Sequence, residues 1–240
     1  MTSPRTVVIT GGSSGIGLAA AKRLATAGDD VVLVGRARTR LERAAAEIGA
    51  RWYRADFAEL NQVRQLAADL HRDLERIDVL VNNAGALAPV TRRTVDGFDV
   101  TMQVNHLAGF LLTNLVLDLI RRAPKPARII TTASLAEAWG TLNVDRPGAI
   151  PLRNRSRWLA YGSSKQANIL FTIEAARRWA AEDIVPTCFF PGLVRSRFAR
   201  TSILFSAARL IPGLIRSSDS AADTLIWLAS DPEALVPGGY

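Results

Sequence analysis

A chain of 240 residues, 48% apolar and 22% charged, is long enough to bury a full core as one domain, and its composition is that of a globular protein, not a disordered one. Its formal net charge of +8 is mostly arginine spread along the chain with no aromatic and basic recognition motif, so no specific nucleic-acid partner is expected. A single cysteine, Cys188, in the apolar run 185–190, excludes internal disulfides and fits a cytoplasmic, reducing setting; two histidines leave a metal site almost no ligands, and no apolar run reaches the length of a membrane span.

Residues 6–10, Thr-Val-Val-Ile-Thr, are a β-branched run of the kind buried on both faces of a sheet. It leads into Gly11-Gly12-Ser13-Ser14-Gly15-Ile16-Gly17 and a run of helix formers. Strand, glycine turn and helix together aim backbone N–H groups and a positive helix terminus at a pyrophosphate. The glycines fall at 11, 15 and 17, a spacing that differs from G-x-G-x-x-G, with three residues between the first pair instead of one. A strand at 31–34 ends at Gly35-Arg36. A carboxylate at that point would hold ribose hydroxyls, whereas an arginine accommodates a 2′-phosphate, so NADP is favoured over NAD. A helix at 39–48 and a strand at 51–54 lead to Asp56-Phe57, where Asp56 either accepts from an adenine amino group or caps a helix over about 59–75. The strand 78–81 then runs into Asn82-Asn83-Ala84-Gly85, small residues that let backbone approach a ligand.

A long apolar helix is expected over about 95–120, buried or at a subunit interface, and Asn105 is a polar group that needs partners there. Pro124 and Pro126 end it, and the strand 128–132 delivers Ser134 just past a carboxyl end, where ligands bind in open α/β sheets. Residues 135–160, with Gly140, Pro147, Gly148 and Pro151, have no clear period and read as a substrate-side loop. Overlapping its end, a helix over 158–171 places Tyr161 and Lys165 four residues apart on one face. At roughly 4 Å and an effective dielectric of about 20, an ammonium favours the phenolate by about 4 kcal/mol, or about 3 pKa units before desolvation takes some back. The pair is therefore expected to work as a general acid and base near neutral pH. After the apolar run 185–190 comes Pro191-Gly192-Leu193-Val194-Arg195-Ser196, and the amphipathic residues 198–216 suit a substrate lid, a partner surface or a peripheral membrane contact over 201–216. A last helix covers about 218–230. Six strands joined by helices imply a single-domain, doubly wound parallel sheet of Rossmann type with helices on both faces.

In this order, Thr10-Gly11-Gly12-Ser13-Ser14-Gly15-Ile16-Gly17, Asn82-Asn83-Ala84-Gly85, Asn105, Ser134, Tyr161-Gly162-Ser163-Ser164-Lys165 and Pro191-Gly192 resemble the short-chain dehydrogenase/reductase family over nearly the whole chain. Two phrases, Met102-Gln103-Val104-Asn105-His106 and Ser164-Lys165-Gln166-Ala167-Asn168-Ile169-Leu170-Phe171, are similar to its retinol dehydrogenase-like branch. The resemblance implies an NADP(H)-dependent oxidoreductase moving a hydride to or from a small-molecule alcohol, aldehyde or ketone. It implies Tyr161 as proton donor or acceptor, Lys165 lowering its pKa and holding the nicotinamide ribose, Ser134 on the substrate oxygen, and Asn105 holding a water that links Lys165 to solvent. For the cofactor, it implies Tyr161 and Lys165 among its contacts, Gly11, Ser13, Ser14, Gly15, Ile16 and Gly17 at the pyrophosphate and Arg36 at the 2′-phosphate. Asp56 and Phe57 would flank adenine, Asn83, Ala84 and Gly85 the adenosine ribose side, and Pro191, Gly192, Val194 and Ser196 the nicotinamide. The apolar segment after Ser196 points to a hydrophobic substrate, and the apolar helices 98–120 and 161–181 to a homo-oligomer. The family's last strand would begin near Gly238, where this sequence ends, so an uncovered sheet edge or a truncated chain is expected. A competing function is an NADP(H)-binding sensor or scaffold with little turnover.

Overall fold

The structure, a computed structural model, describes residues 4–90, 92–142, 145, 156–194 and 216–240. Ser196, all of the segment 201–216 except Arg216, and most of the loop between 142 and 156 lie outside the described residues. Among the described residues six strands, β1 (Thr6–Thr10), β2 (Asp30–Gly35), β3 (Arg51–Arg54), β4 (Val79–Asn82), β5 (Ala127–Thr132) and β6 (Ile184–Phe189), form one parallel sheet in the order β3-β2-β1-β4-β5-β6. The helices are α1 (Gly15–Thr26), α2 (Arg38–Ile48), α3 (Leu60–Asp73), α4 (Val100–Met102), α5 (Ala108–Leu115), α6 (Leu117–Arg121), α7 (Arg157–Trp179) and α8 (Ser218–Ser230).

Successive strand residues face opposite ways, so apolar runs such as Val7-Val8-Ile9 feed two cores at once. Val8, Val32, Leu80 and Ile129 pack with α3, α5, α6 and α7 on one face. Val7, Ile9, Leu33, Val81 and Ile130 pack with α1, α2 and α8 on the other. The strand order reverses between β1 and β4, so the connections leave their carboxyl ends in opposite directions and open a crevice there. No helix of the described residues is long and apolar enough to cross a membrane.

Three expectations are corrected. The helix expected over 95–120 starts at Val100, because the Asp99 carboxylate accepts the N–H groups of Thr101 and Met102 at 2.8 and 3.1 Å and Arg93 pairs with Asp99 in an antiparallel bridge just before it. It is then interrupted by a π turn at Gln103–Leu107. Asp56 does not cap α3; Glu59 takes the cap position, and one Asp56 oxygen accepts from the Ala58 N–H at 3.0 Å, closing a short turn. Nor is the edge of β6 left bare. The Gly238 N–H donates to the Pro186 carbonyl at 2.8 Å, and the Cys188 N–H to the Gly239 carbonyl at 2.9 Å.

Candidate active site

Four of the sequence-predicted residues meet where α7 crosses the carboxyl end of β5. α7 starts with Ser156 accepting the Trp158 N–H at 3.3 Å and carries Tyr161 and Lys165 one turn apart. The buried Lys165 Nζ lies 5.5 Å from the centre of the Tyr161 ring and donates to the Thr132 carbonyl at 2.7 Å. Ser134, two residues beyond β5, shares a hydrogen bond with Tyr161 and accepts the Ala136 N–H at 3.3 Å as the cap of a 3₁₀ turn, Leu135–Trp139.

What brings Ser134 to Tyr161 is a contact that sequence reasoning missed. A Cβ on Gly162 would stand 2.2 Å from the Ala136 carbonyl oxygen, and one on Gly140 would stand 2.6 Å from the carbonyl carbon of Gly162. The 3₁₀ turn and α7 therefore touch backbone to backbone, and Ser163 clasps them by accepting the Thr141 N–H at 3.0 Å. The signal in the sequence is a glycine inside a helix, which costs helix stability and needs a packing reason.

Asn105 lies in the π turn, where the local widening aims its side chain away from the helix ladder. Its Nδ2 donates to the Ala86 carbonyl and to Ser164 Oγ, both at 3.0 Å, and its Oδ1 accepts the Ala86 N–H at 2.6 Å. Ser164 in turn donates to the Tyr161 carbonyl at 2.7 Å. Asn105 thus ties the loop after β4 to α7 with both amide hydrogens engaged, and among the described residues no hydrogen bond joins it to Lys165.

The electrostatics run against the simple ion-pair expectation. Burial pushes the Tyr161 phenol up to about 12, with the hydroxyl of Ser134 offsetting part of the rise. Burial also brings Lys165 down to about 8. Each group is shifted towards its neutral form because desolvation outweighs mutual attraction here; Nζ points at a carbonyl, not at the phenol oxygen.

The crevice between β1 and β4 fits a dinucleotide. α1 begins at Gly15 with no acidic residue in its first turn, Ser14 makes no side-chain capping bond, and first-turn N–H groups have no partner within the helix. A Cβ on Gly15 would meet nothing within 4 Å, whereas one on Gly17 would stand 2.7 Å from the Gly11 carbonyl oxygen, so the turn is open outward and filled behind. Gly11, Ser13, Ser14 and Ile16 complete this turn. At the end of β2, exposed Arg36 has no side-chain partner among the described residues, while Arg38 is engaged by Glu42 at 2.8 Å and lies over Trp52. Arg40, on the first turn of α2, has a buried Nε without a hydrogen-bond partner. An orphaned donor on α2 and an exposed guanidinium at the end of β2 both suit a phosphate.

Other residues sit near the crevice but differ in what they can offer. The Asn83 amide is engaged, donating to the Thr10 carbonyl at 2.9 Å and accepting from Thr132 Oγ1 at 3.4 Å. Thr10, another residue missed, donates to the Val81 carbonyl at 3.0 Å and accepts the N–H groups of Asn83 and Ala84 at 3.0 and 3.1 Å. Asn83 is therefore a strap across β1, β4 and β5, with Ala84 and Gly85 following it along the crevice. The Phe57 ring is buried in the core, leaving only its backbone for adenine, and Asp56 keeps one oxygen beyond its turn contact. Pro191, Gly192 and Val194 follow β6 directly, and Val194 pairs with Arg216.

Residues 5–146 match the sequence model of the short chain dehydrogenase family. A protein of Streptomyces sp. (strain C5) named for daunorubicin C-13 ketoreduction is 44% identical over 98% of this chain and 82% of its own length. Human retinol dehydrogenase 13 is 35% identical over 98% of this chain and 75% of its own. Among solved structures, the Pseudomonas aeruginosa RhlG/NADP active-site complex superposes with a TM-score of 0.77 at 29% identity, covering 98% of this chain and 93% of that one. Parallel sheet, glycine turn, and a tyrosine and lysine on one helix face beside a strand-end serine thus coincide with sequence likeness along the chain's length: it belongs to the short-chain dehydrogenase family of oxidoreductases, in its retinol dehydrogenase-like branch.

Proposed function

We propose that this chain is a cytoplasmic NADP(H)-dependent enzyme that interconverts a carbonyl and an alcohol on a hydrophobic small molecule. The observation that carries the reading is the Tyr161 hydroxyl bonded to Ser134 at the end of β5, with Lys165 beside the phenol ring. NADP over NAD is supported by the free Arg36 guanidinium and the orphaned Arg40 Nε, and by the NADP named in the Pseudomonas complex. Exposed Phe110 on α5 and Leu170 and Ile173 on α7 support a homo-oligomer through those helices.

Bound NADP(H) supplies or takes up the hydride. Gly11, Ser13, Ser14, Gly15, Ile16 and Gly17 would hold its pyrophosphate, Arg36 and Arg40 its 2′-phosphate, and Lys165 its nicotinamide ribose. The Tyr161 and Ser134 hydroxyls converge on the place for a substrate oxygen, and as negative charge grows there Ser134 donates a hydrogen bond and Tyr161 its proton. A phenol pushed up to about 12 is protonated at neutral pH, the form that carbonyl reduction requires. Lys165, brought down to about 8, is still mainly ammonium at pH 7 and steadies the tyrosinate left after proton transfer. In the alcohol-oxidising direction the same groups act in reverse.

A panel of lipophilic aldehydes and ketones incubated with NADPH or NADH tests this reading. Oxidation of NADPH with at least one compound, and kcat/KM at least tenfold lower with NADH, is the expected result. Silence across the panel despite tight NADPH binding would favour the sensor, and equal rates with both nucleotides would remove the NADP assignment.

The lysine gives a pH signature. Its ordinary value lies near ~10.4, so a folded value of about 8 means that the charge is present below pH 8 and lost above it. The kcat/KM for NADPH, which reports on the free enzyme, is expected to be level up to about pH 7 and to fall as pH passes 8, a limb missing in Lys165→Met. A limb centred near pH 10 would show that the amine is not desolvated.

A further inference from the structure

His106 and Asn168 belong to the two branch-like phrases of the sequence, and neither has a part in the reaction above. The fold joins them. His106 Nδ1 lies 3.0 Å from Asn168 Oδ1, and Asn168 Nδ2 donates at 3.2 Å to the Thr132 carbonyl, the same oxygen that receives Lys165 Nζ at 2.7 Å. The carbonyl fixes the polarity of the whole chain. It only accepts, so the amide presents Nδ2 to it; Oδ1 then faces the imidazole, and His106 Nδ1 bears the proton. Burial and the nearby Lys165 charge hold His106 below its usual range, so the ring is neutral in that tautomer. It packs against both Phe110 and Phe171, with ring centres 6.1 and 6.4 Å away, and those two rings touch each other at 5.6 Å.

Lys165 and Asn168 are three residues apart on α7 and place two donors on one buried carbonyl. We propose that Asn168, oriented by His106, is a positioning residue that keeps the Thr132 carbonyl hydrogen-bonded when Lys165 turns from it to the ribose of a bound dinucleotide. This rests on the reading of Lys165 as the ribose ligand. A buried carbonyl left without a donor carries a penalty equivalent to about a tenfold change in an equilibrium constant. With the Asn168 amide in place the lysine leaves without that penalty, and without the amide it is held on Thr132 at the expense of nucleotide binding.

The test is a double-mutant cycle read by NADPH fluorescence titration, with the thermal midpoint of each variant alongside. Asn168→Leu is expected to weaken NADPH binding about tenfold, and Lys165→Met to weaken it at least as much. The double variant should bind no more weakly than Lys165→Met alone, because Asn168 acts through the lysine. His106→Phe keeps a ring packed against Phe110 and Phe171 while releasing the amide, and should weaken binding about threefold; it carries the test if Asn168→Leu does not fold. Wild-type affinity in both Asn168→Leu and His106→Phe overturns the proposal. So does an Asn168→Leu loss that persists undiminished in the Lys165→Met background, which would mark a structural residue. Wild-type affinity in Lys165→Met is a different failure: it removes the ribose assignment of Lys165 itself, and the proposal with it.

Discussion

Tyr161→Phe is expected to lower kcat/KM for carbonyl reduction by about 10³-fold, within the roughly 10²–10⁴-fold range of general acid catalysis, while leaving the Kd for NADPH within twofold of wild type. The split between the two readouts follows from where the hydroxyl is. It is bonded to Ser134, on the substrate side of a ring whose other neighbour is the Lys165 amine, so removing it takes away the proton and one donor but nothing that holds the nucleotide. The ring stays in place because Trp158 packs edge-on against it, centres 6.3 Å apart, and a phenylalanine keeps that contact. Losing the partner of Ser134 costs about 1 kcal/mol of stability, too little to unfold the chain. Activity within tenfold of wild type would remove Tyr161 from the chemistry, and a parallel loss of NADPH binding would recast it as a nucleotide contact.

The part of this site that could be read from the sequence is the part set by local periodicity. Tyr161 and Lys165 share a face because a helix repeats every 3.6 residues, and Ser134 follows a β-branched run that could only be a buried strand. That the sheet is parallel follows from helices alternating with strands, whereas the order β3-β2-β1-β4-β5-β6 comes from the structure. What could not be read depends on partners far away in sequence. The π turn forms where Asn105 is clamped to Ala86, and no pattern within residues 95–120 encodes that loop's position. Nothing around Asn83 in the sequence shows that its side-chain amide donates to the carbonyl of Thr10, 73 residues earlier. Phe57 faces the core because Gln103 and α3 set the course of the chain there, with Gln103 Nε2 donating to the Phe57 carbonyl at 3.2 Å. The ionisation of Tyr161 was misjudged for the same reason. Coulomb's law between two residues can be written from their spacing, whereas the water that each has lost is known only once the surrounding fold is known.

The backbone crossing at Gly162 gives the second large effect, and here two stability contributions oppose each other. Gly162→Ala gains about 1 kcal/mol of helix propensity inside α7. Against this, the new methyl would stand 2.2 Å from the Ala136 carbonyl oxygen, and relieving that contact moves the 3₁₀ turn or α7 by roughly 1 Å. Overpacking of this kind costs about 1–3 kcal/mol, so the net destabilisation is expected to be no more than about 2 kcal/mol and the variant folded. The chemistry has no such compensation. Ala136 is two residues from Ser134 and Gly162 is next to Tyr161, so the displacement falls directly on the distance between the two hydroxyls. A misplacement of about 1 Å costs on the order of 10²-fold in rate, and kcat/KM for carbonyl reduction should fall by that much while NADPH affinity changes little. Gly140→Ala, whose methyl would meet the Gly162 carbonyl carbon at 2.6 Å, should show the same pattern from the other side of the crossing. Thermal midpoints and steady-state kinetics on both variants check the argument. If both are stable and turn over within threefold of wild type, the two segments can slide without separating Ser134 from Tyr161, and the crossing is packing with no hold on the reaction.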